Sequence, residues 1–424
     1  MLPYVIKSCK MFGFTFLCCV SLIILYKMYT KEDADIEVKN SGSIRQHGDY
    51  WVWNNYIRAS EDLIGNESIT LTSHGTYMDL RLLPKVLSRW QAPISLTIFA
   101  CDEDYDNFNH AWKYLLDCHD LADLMRRYVS IHLVFHQSFV PKHLDNLKSI
   151  LNHIVIESCD KSSAFLISDQ SKTFWHQHKL TYPVNLLRNI ARQNVNTYYI
   201  LALDLQLLPP PKFARKFLKF IWNHDRWRYG DIREPYTTVF CLPTFVIKAD
   251  ALTPKTKFQL LMVLRDFNIT TSIHDDFGGQ VKWLHMPNPK DELFIFSRSK
   301  RREMCVAYIS INELEPLYDE NNEMESIYEE SSTFKSQILI DLNYTFIVLD
   351  GAFLLRSSND SWQHSNVIWS PRPSFMNWRR HFNWHQFYHQ LMSHVPDNFA
   401  YTWYLKSRST QYFLNREKKN RPKM

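Results

Sequence analysis

From Ser68 onward, short apolar runs alternate with longer segments in which apolar residues recur every three or four positions. SITLTSHG, ISLTIFA and VSIHLVFH have the length and composition of buried strands. The segments between them have the periodicity of helices, with one helix interrupted at Pro84. Strands that alternate with helices form a mostly parallel sheet with helices on both faces. The sequence therefore predicts an α/β fold, with ligands bound beyond the carboxyl ends of the strands.

One stretch, YPVNLLRNIARQNVNTYYILALDLQLLPPP (residues 182–211), joins a helix to a strand that ends at a carboxylate. Tyr182-Pro183 begins the helix, because proline is tolerated in a first turn. An apolar strand then leads to Asp204, and a proline cluster breaks the chain. Many sugar-nucleotide enzymes present a metal-binding Asp-x-Asp in this way, but here the third position is Gln206.

Three other polar clusters have simpler interpretations. Asp102-Glu103-Asp104 is predicted to be a solvated turn and His274-Asp275-Asp276 a surface loop, since successive side chains diverge. His381 and His385 lie one helical turn apart without a nearby acid, which favours a packed C-terminal helix. The sequence contains no Gly-rich phosphate loop, no G-x-S-x-G elbow and no H-E-x-x-H motif.

The N-terminal region has one segment of membrane length, Met11–Tyr29. Its uncharged core of 16 residues, Met11–Tyr26, is slightly short of the roughly 20 that span a bilayer. Snorkelling lysines at both ends compensate. A cleaved signal peptide is the alternative, although no small-x-small cleavage site follows. We predict a cytoplasmic tail (1–10), a signal anchor (11–29), a stem (30–66), a folded lumenal domain (67–415) and a basic tail (416–424).

Sequons and cysteines are compatible with a lumenal chain. The four Asn-x-Ser/Thr sequons begin at Asn66, Asn268, Asn343 and Asn359. The five cysteines beyond the membrane segment are Cys101, Cys118, Cys159, Cys241 and Cys305. They allow up to two disulfides and one thiol, and the sequence leaves the pairing open.

Composition argues against a nucleic-acid partner. The net charge of +5 is diffuse, and no sustained basic face is visible. Aromatic residues make up 15% of the chain. Their flat faces suit the C–H face of a sugar ring, although most such side chains are expected in the core.

The order of these segments resembles glycosyltransferase family 49, which includes the LARGE-type and β-1,4-glucuronyltransferases. The segments that carry the resemblance, spread over residues 68–395, are LTSHGTYMDLRLLPKVLSRWQAPISLTIFA, YPVNLLRNIARQNVNTYYILALDLQLLPPP, FCLPTFVIKAD, EPLYDENNEMES, YTFIVLDGAFLLRSS and NWHQFYHQL. The resemblance implies a GT-A-type fold and a single-pass type II enzyme of the Golgi or endoplasmic reticulum. It also implies transfer of a sugar from a UDP-sugar to a glycan or glycoprotein, with Mn²⁺ holding the diphosphate.

The metal site departs from the family pattern at two positions. Gln206 replaces the second aspartate and Arg356 replaces a histidine, while Asp204 remains as a metal ligand or ribose contact. Glutamine is a poor Mn²⁺ ligand, and arginine, always protonated, is none. Either Arg356 binds the diphosphate without a metal, or the protein is an inactive lumenal glycan-binding or scaffold relative. We favour the transferase.

The resemblance also implies the other site residues. The predicted nucleotide-site residues are Asp204, Gln206, Arg356, Asn185, Arg188 and Asn189. Asp319 and Glu320, on the matching YDE, are predicted to bind donor or acceptor, and one of them to act as general base. A solvated acidic loop is the alternative for these two residues.

Overall fold

Strands and helices alternate along the chain in a computed structural model, as the sequence predicts. The structure describes residues 43–142, 144, 147–156, 158–159, 170–226, 235–247, 252–267, 280–286, 288, 290–299, 307–320, 335–336 and 338–357. Several predicted features lie outside these ranges: the anchor Met11–Tyr29, the basic tail 416–424, Asn268, His274–Asp276, Cys305, Asn359, and the closing helix with His381 and His385. Within the described ranges, no helix has the length and hydrophobicity needed to cross a membrane.

Twelve strands are described. They are β1 (Ile44–His47), β2 (Tyr50–Ile57), β3 (Gly65–Gly75), β4 (Ile94–Phe99), β5 (Val129–His136), β6 (Thr197–Ala202), β7 (Thr238–Cys241), β8 (Thr244–Ile247), β9 (Phe294–Ser299), β10 (Tyr308–Ile311), β11 (Thr345–Asp350) and β12 (Leu354–Ser357). The described α-helices are α1 (Leu83–Trp90), α2 (Glu103–Cys118), α3 (Ala122–Tyr128), α4 (Leu147–His153), α5 (Phe174–Gln177), α6 (Val184–Gln193), α7 (Phe213–Arg226), α8 (Lys257–Phe267) and α9 (Gln280–His285).

The described strands form a ten-stranded sheet in the order β1-β2-β5-β4-β3-β6-β10-β7-β11-β9 and a two-stranded sheet of β12 and β8. In the large sheet only β2, β9 and β10 run against the other seven strands, so it is mostly parallel. The chain adds β4 and β5 on one side of β3 and then β6 on the other. The predicted α/β fold is confirmed, and such a reversal in strand order opens a crevice for ligands.

The predicted stem reaches too far into the chain. Residues 44–57, assigned to the stem from the sequence, form β1 and β2, and β2 pairs with β5 at the edge of the large sheet. Alternate residues of β2 are buried, among them Val52, Asn54 and Tyr56. This alternation is the period-2 signature of a strand with one face on the core.

The acidic run after β4 is not a solvated turn throughout. Asp104 is only 1% exposed, in the first turn of α2. Its two carboxylate oxygens accept the backbone N–H of Phe174, each at 3.0 Å. Burial raises the pKa of Asp104 to about 7, despite these hydrogen bonds. The carboxylate therefore ties α2 to the start of α5.

Helix boundaries also differ from the sequence pattern. Pro84 lies in the first turn of α1, after a 3-10 turn at Tyr77–Leu82, so it begins a helix and does not interrupt one. The segment of helical periodicity over residues 108–128 forms two helices, α2 and α3. In α6, the apolar residues Leu186, Leu187 and Ile190 pack in the core beside β4 and β5.

The described cysteines agree with the predicted count. Cys118, at the end of α2, is bonded to Cys159. Cys241 is also in a disulfide, and Cys101 is a buried free thiol. Of the predicted glycosylation sites, Asn66 and Asn343 are exposed, at the start of β3 and before β11.

A neutral histidine is built into the core. His132, in β5, accepts the backbone N–H of Asn55 at Nδ1 (2.8 Å), so its proton is on Nε2, 3.0 Å from Ser95 Oγ. The Ser95 hydroxyl in turn donates to the Ala191 carbonyl at 2.6 Å. Burial lowers the pKa of His132 from 6.5 to about 3.

This histidine should make folding stability depend on pH. Because the folded-state pKa is depressed, the stabilising contribution is fully present above about pH 6.5 and is lost as the pH falls towards 3. We expect the cost of His132→Gln, measured by urea unfolding, to be smaller by about 2 kcal/mol at about pH 5 than at about pH 7.5. An equal cost at both pH values would contradict this account.

Candidate functional site

The carboxyl ends of β3 and β6 bring two polar side chains together at the reversal of strand order. The two strands are parallel neighbours, with Thr72 opposite Ala202, and Leu203 continues the ladder by donating its N–H to the Thr72 carbonyl at 3.0 Å. His74 and Asp204 therefore follow in the same register. His74 Nε2 lies 3.3 Å from Asp204 Oδ1.

Asp204 is buried beside a guanidinium and an imidazole. Its Oδ1 is 3.9 Å from the guanidinium of Arg188, whose side chain is only 8% exposed. The Tyr182 hydroxyl is 2.9 Å from His74 Nδ1. Burial raises the pKa of Tyr182 well above 10, so the hydroxyl that contacts His74 keeps its proton.

One buried polar atom of His74 and one of Asp204 lack a hydrogen-bond partner among the residues that the structure describes. His74 Nε2 and Asp204 Oδ1 face each other, but neither makes a hydrogen bond of good geometry within the described part of the chain. Buried polar atoms without partners cost about 1–3 kcal/mol each, so native proteins rarely keep them unless a ligand or water completes them. The carboxyl ends of β3 and β6 thus have the character of a binding site.

Helix α6 connects Asp204 to a second segment. Asn185, Arg188 and Asn189 share one face of the helix, being three and four residues apart. Arg188 packs over the ring of Tyr318 at 5.2 Å. Asn189 exchanges two hydrogen bonds with the backbone of Tyr318 (2.8 and 2.9 Å), and Asn185 Nδ2 donates to the Asp319 carbonyl at 2.7 Å. These residues, singled out from the sequence, do come together.

Glu320 is held from two sides. Its Oε1 accepts from Asn189 Nδ2 at 2.7 Å, and its Oε2 is 2.6 Å from Nε2 of His47 in β1. The Glu320 side chain is 25% exposed, so it is anchored and still reachable from solvent. Asp319 reaches α6 through its main-chain carbonyl.

A buried ionic cluster fixes the loop that leads to Glu320. The guanidinium of Arg192, at the end of α6, donates to the carbonyls of Asn312 (3.1 Å), Glu315 (2.9 Å) and Pro316 (2.8 Å). Its NH1 is 3.5 Å from the Glu315 carboxylate, and Lys335 Nζ is 3.4 Å from the same carboxylate. The loop after β10 is therefore tied to α6 from the inside.

Glu315 stays charged within this cluster. Burial raises the pKa of Glu315. The charges of Arg192 and Lys335 and the hydrogen bonds from the Ser310 and Tyr308 hydroxyls lower it more, so the pKa of Glu315 lies below its ordinary value of 4.5. Two cations and one anion share the site. The carboxylate holds them together.

The strand that carries Arg356 is brought to the loop after Asp204. Leu208 and Leu355 exchange backbone hydrogen bonds of 2.8 and 3.0 Å. Gln206 precedes this bridge by two residues and Arg356 follows it by one, and both are partly buried. The turn between β11 and β12 needs Gly351, which has φ +76°, and a Cβ there would clash with the Glu292 carbonyl.

The residues around Asp204 do not fit a Mn²⁺ centre. Mn²⁺ prefers carboxylate, carbonyl and water oxygens. Here one carboxylate faces a guanidinium and an imidazole, the next polar residue is a neutral amide, and the position at which the resemblance predicts a histidine is occupied by Arg356, which is no metal ligand. Among the described residues, no three His, Cys, Asp or Glu side chains converge as metal ligands.

Two histidines of this region were missed from the sequence. His74 interrupts an apolar strand just before its carboxyl end, and that position was the available signal. His47 has no such signal, because its partner Glu320 is 273 residues away in the chain.

Comparison with known proteins shows that most of the chain matches one protein family. Residues 68–361 match the profile of the family described as "Glycosyl-transferase for dystroglycan". Beta-1,4-glucuronyltransferase 1 of Danio rerio is 27% identical over 245 residues, 55% of this chain and 54% of the relative. The Homo sapiens protein of that name is 24% identical over 227 residues, 53% and 51% respectively. The chain thus matches about half the length of these relatives.

Two further similarities are more limited. Xylosyl- and glucuronyltransferase LARGE2s of Danio rerio is 28% identical over 141 residues, 33% of this chain and 13% of the relative. Among solved structures, S. aureus TarS 1-349 in complex with UDP-GlcNAc has 10% identity and a TM-score of 0.32, covering 82% of this chain and 73% of TarS. A TM-score of this size does not establish a shared fold.

Proposed function

The chain belongs to glycosyltransferase family 49, and on that premise we propose that it transfers a sugar from a UDP-sugar donor to a glycan or glycoprotein acceptor. The observation that carries the proposal is the meeting of His74, Asp204 and Arg188 at the carboxyl ends of β3 and β6. A GT-A-type fold, type II anchoring by Met11–Tyr29 and a Golgi or endoplasmic reticulum location belong to the same proposal. The exposed sequons at Asn66 and Asn343 are consistent with a lumenal domain.

The proposed chemistry needs a positive charge at the leaving group. When the bond from the sugar to UDP breaks, its electron pair stays on the diphosphate oxygen, and the developing charge must be stabilised. Guanidinium groups can do this by bidentate hydrogen bonding. We assign this role to Arg356 and Arg188, with Asp204 orienting Arg188 and contacting the ribose. Mn²⁺ dependence is therefore weak or absent in this proposal.

The proposed general base is Glu320. A transfer that inverts the anomeric centre needs a carboxylate to take the proton of the acceptor hydroxyl as the new bond forms. Glu320 is partly exposed and has both oxygens anchored, whereas a freely solvated carboxylate would have no fixed position. Asn185 and Asn189 support the segment that carries Asp319 and Glu320.

A second candidate function is glycan binding without catalysis. It is favoured by the two replacements at the family's metal site, Gln206 and Arg356. The two functions differ in whether the protein binds UDP.

UDP binding to the purified full-length protein should separate these functions. We expect calorimetry to show binding that survives EDTA and is weakened about 10–100-fold by Arg356→Ala, the loss of one charged hydrogen-bonding partner. Arg126→Ala, on the exposed face of α3, is the control and should leave the affinity unchanged. Binding that requires Mn²⁺ would contradict the metal-free site. Absence of UDP binding under both conditions would favour the glycan-binding function.

A further inference from the structure

His47 reaches the site from outside the part of the chain that matches the family. The matched region begins at residue 68, whereas His47 ends β1. The turn Gly48-Asp49 joins β1 to β2 and is held by Gln137, the residue after β5. The backbone N–H of Gln137 donates to the Asp49 carbonyl (2.8 Å), and its side-chain Nε2 donates to the Asp49 carboxylate (3.0 Å). His47 is thus carried by an anchored turn.

The contacts of Glu320 leave one orientation for its carboxylate. Asn189 Nδ2 donates to Oε1 and His47 Nε2 lies 2.6 Å from Oε2, so rotation about the last side-chain bond would break both contacts. Each oxygen still has a second lone pair available. A general base must be fixed to within a fraction of an ångström to act efficiently.

We propose that His47 is a positioning residue that, together with Asn189, holds Glu320 to accept the proton of the attacking hydroxyl. This inference rests on the proposed function, since it concerns the base of that reaction. The N-terminal hairpin of β1 and β2 is then part of the catalytic unit of this chain. Because the His47 side chain is 41% exposed, its replacement should not unfold the protein.

The test measures release of UDP by the purified full-length protein. The probes are UDP-glucuronic acid, UDP-xylose and UDP-N-acetylglucosamine, with water as the attacking hydroxyl. We expect Glu320→Gln to lower kcat about 10²–10⁴-fold, and His47→Ala to lower it about 10-fold or more with KM unchanged. His47→Gln, whose amide can still donate, should recover most of the rate. Arg45→Ala, on the same strand, is the control.

The decisive variant combines His47→Ala with Glu320→Gln. If His47 acts through Glu320, its removal costs nothing further once the carboxylate is gone. An additive loss, or an unchanged kcat in His47→Ala, would overturn the inference while leaving the proposed function intact. A wild-type protein that neither binds UDP nor releases it from any of the three donors would overturn both.

Discussion

Replacing Glu315 by glutamine is expected to lower the free energy of unfolding by about 3–5 kcal/mol, the usual cost of removing one partner from a buried ion pair. The change is nearly isosteric: the amide oxygen can still accept from one of the Tyr308 and Ser310 hydroxyls, and the amide NH2 can donate to the other. What disappears is the negative charge between Arg192 and Lys335, which leaves two buried cations facing each other. Urea unfolding of the variant at neutral pH measures the effect.

An exposed pair provides the matched control. Glu61 contacts Arg127 at 3.0 Å, closer than Glu315 to Arg192, but both side chains are at least 40% exposed. Glu61→Gln should therefore cost far less than Glu315→Gln, because solvent screens the exposed pair. Removing one cation as well, in Glu315→Gln/Lys335→Met, should recover part of the stability. Equal costs for the two glutamine variants would mean that the cluster is not held by charge.

The effect of Glu315→Gln on stability should also depend on pH. The pKa of Glu315 is lowered on folding, so its contribution is present above about pH 4.5 and is lost as the pH falls through the folded-state value. The cost of Glu315→Gln should therefore shrink in acid.

Most elements were predictable because their signals are local. VSIHLVFH is an apolar run between polar residues and became β5 with the expected ends. Pro183 marks the start of α6 because proline suits a helix N-terminus. Within the segment FCLPTFVIKAD most of the apolar residues belong to two strands, β7 and β8, separated at Pro243. That break was also visible, since proline cannot donate to a ladder.

The site was predictable only in part, because some of its contacts join distant segments. The residue types in LRN and YDE suggested polar contacts, and the alternation of strands and helices placed Asp204 at a strand end. No local sequence signal predicts the hydrogen bond between Asn189 and Tyr318 or the ion pair between Arg192 and Glu315. The same holds for the hydrogen bond from the Phe174 backbone to the buried Asp104. Such pairs depend on which loop packs on which helix.

The ion pair of Arg188 and Asp204 should affect both the stability of the fold and the binding of UDP, and the two effects can be separated. Arg188 and Asp204 are 3.9 Å apart with side chains no more than 9% exposed, so they interact in a low effective dielectric. We expect Arg188→Gln and Asp204→Asn each to destabilise the fold, and a double-mutant cycle to give a coupling of about 1–3 kcal/mol. The double variant should recover stability because neither charge is left alone.

UDP binding should not follow stability in this cycle. If Arg188 contacts the diphosphate, UDP affinity falls about 10–100-fold in Arg188→Gln and stays low in the double variant. Arg58 and Asp62, closer at 2.7 Å but 45% and 51% exposed, are the control cycle, with an expected coupling of about 0.2–1 kcal/mol. A larger coupling for this exposed pair would mean that distance, not burial, sets the strength. UDP affinity restored in the double variant would show that Arg188 serves the fold alone.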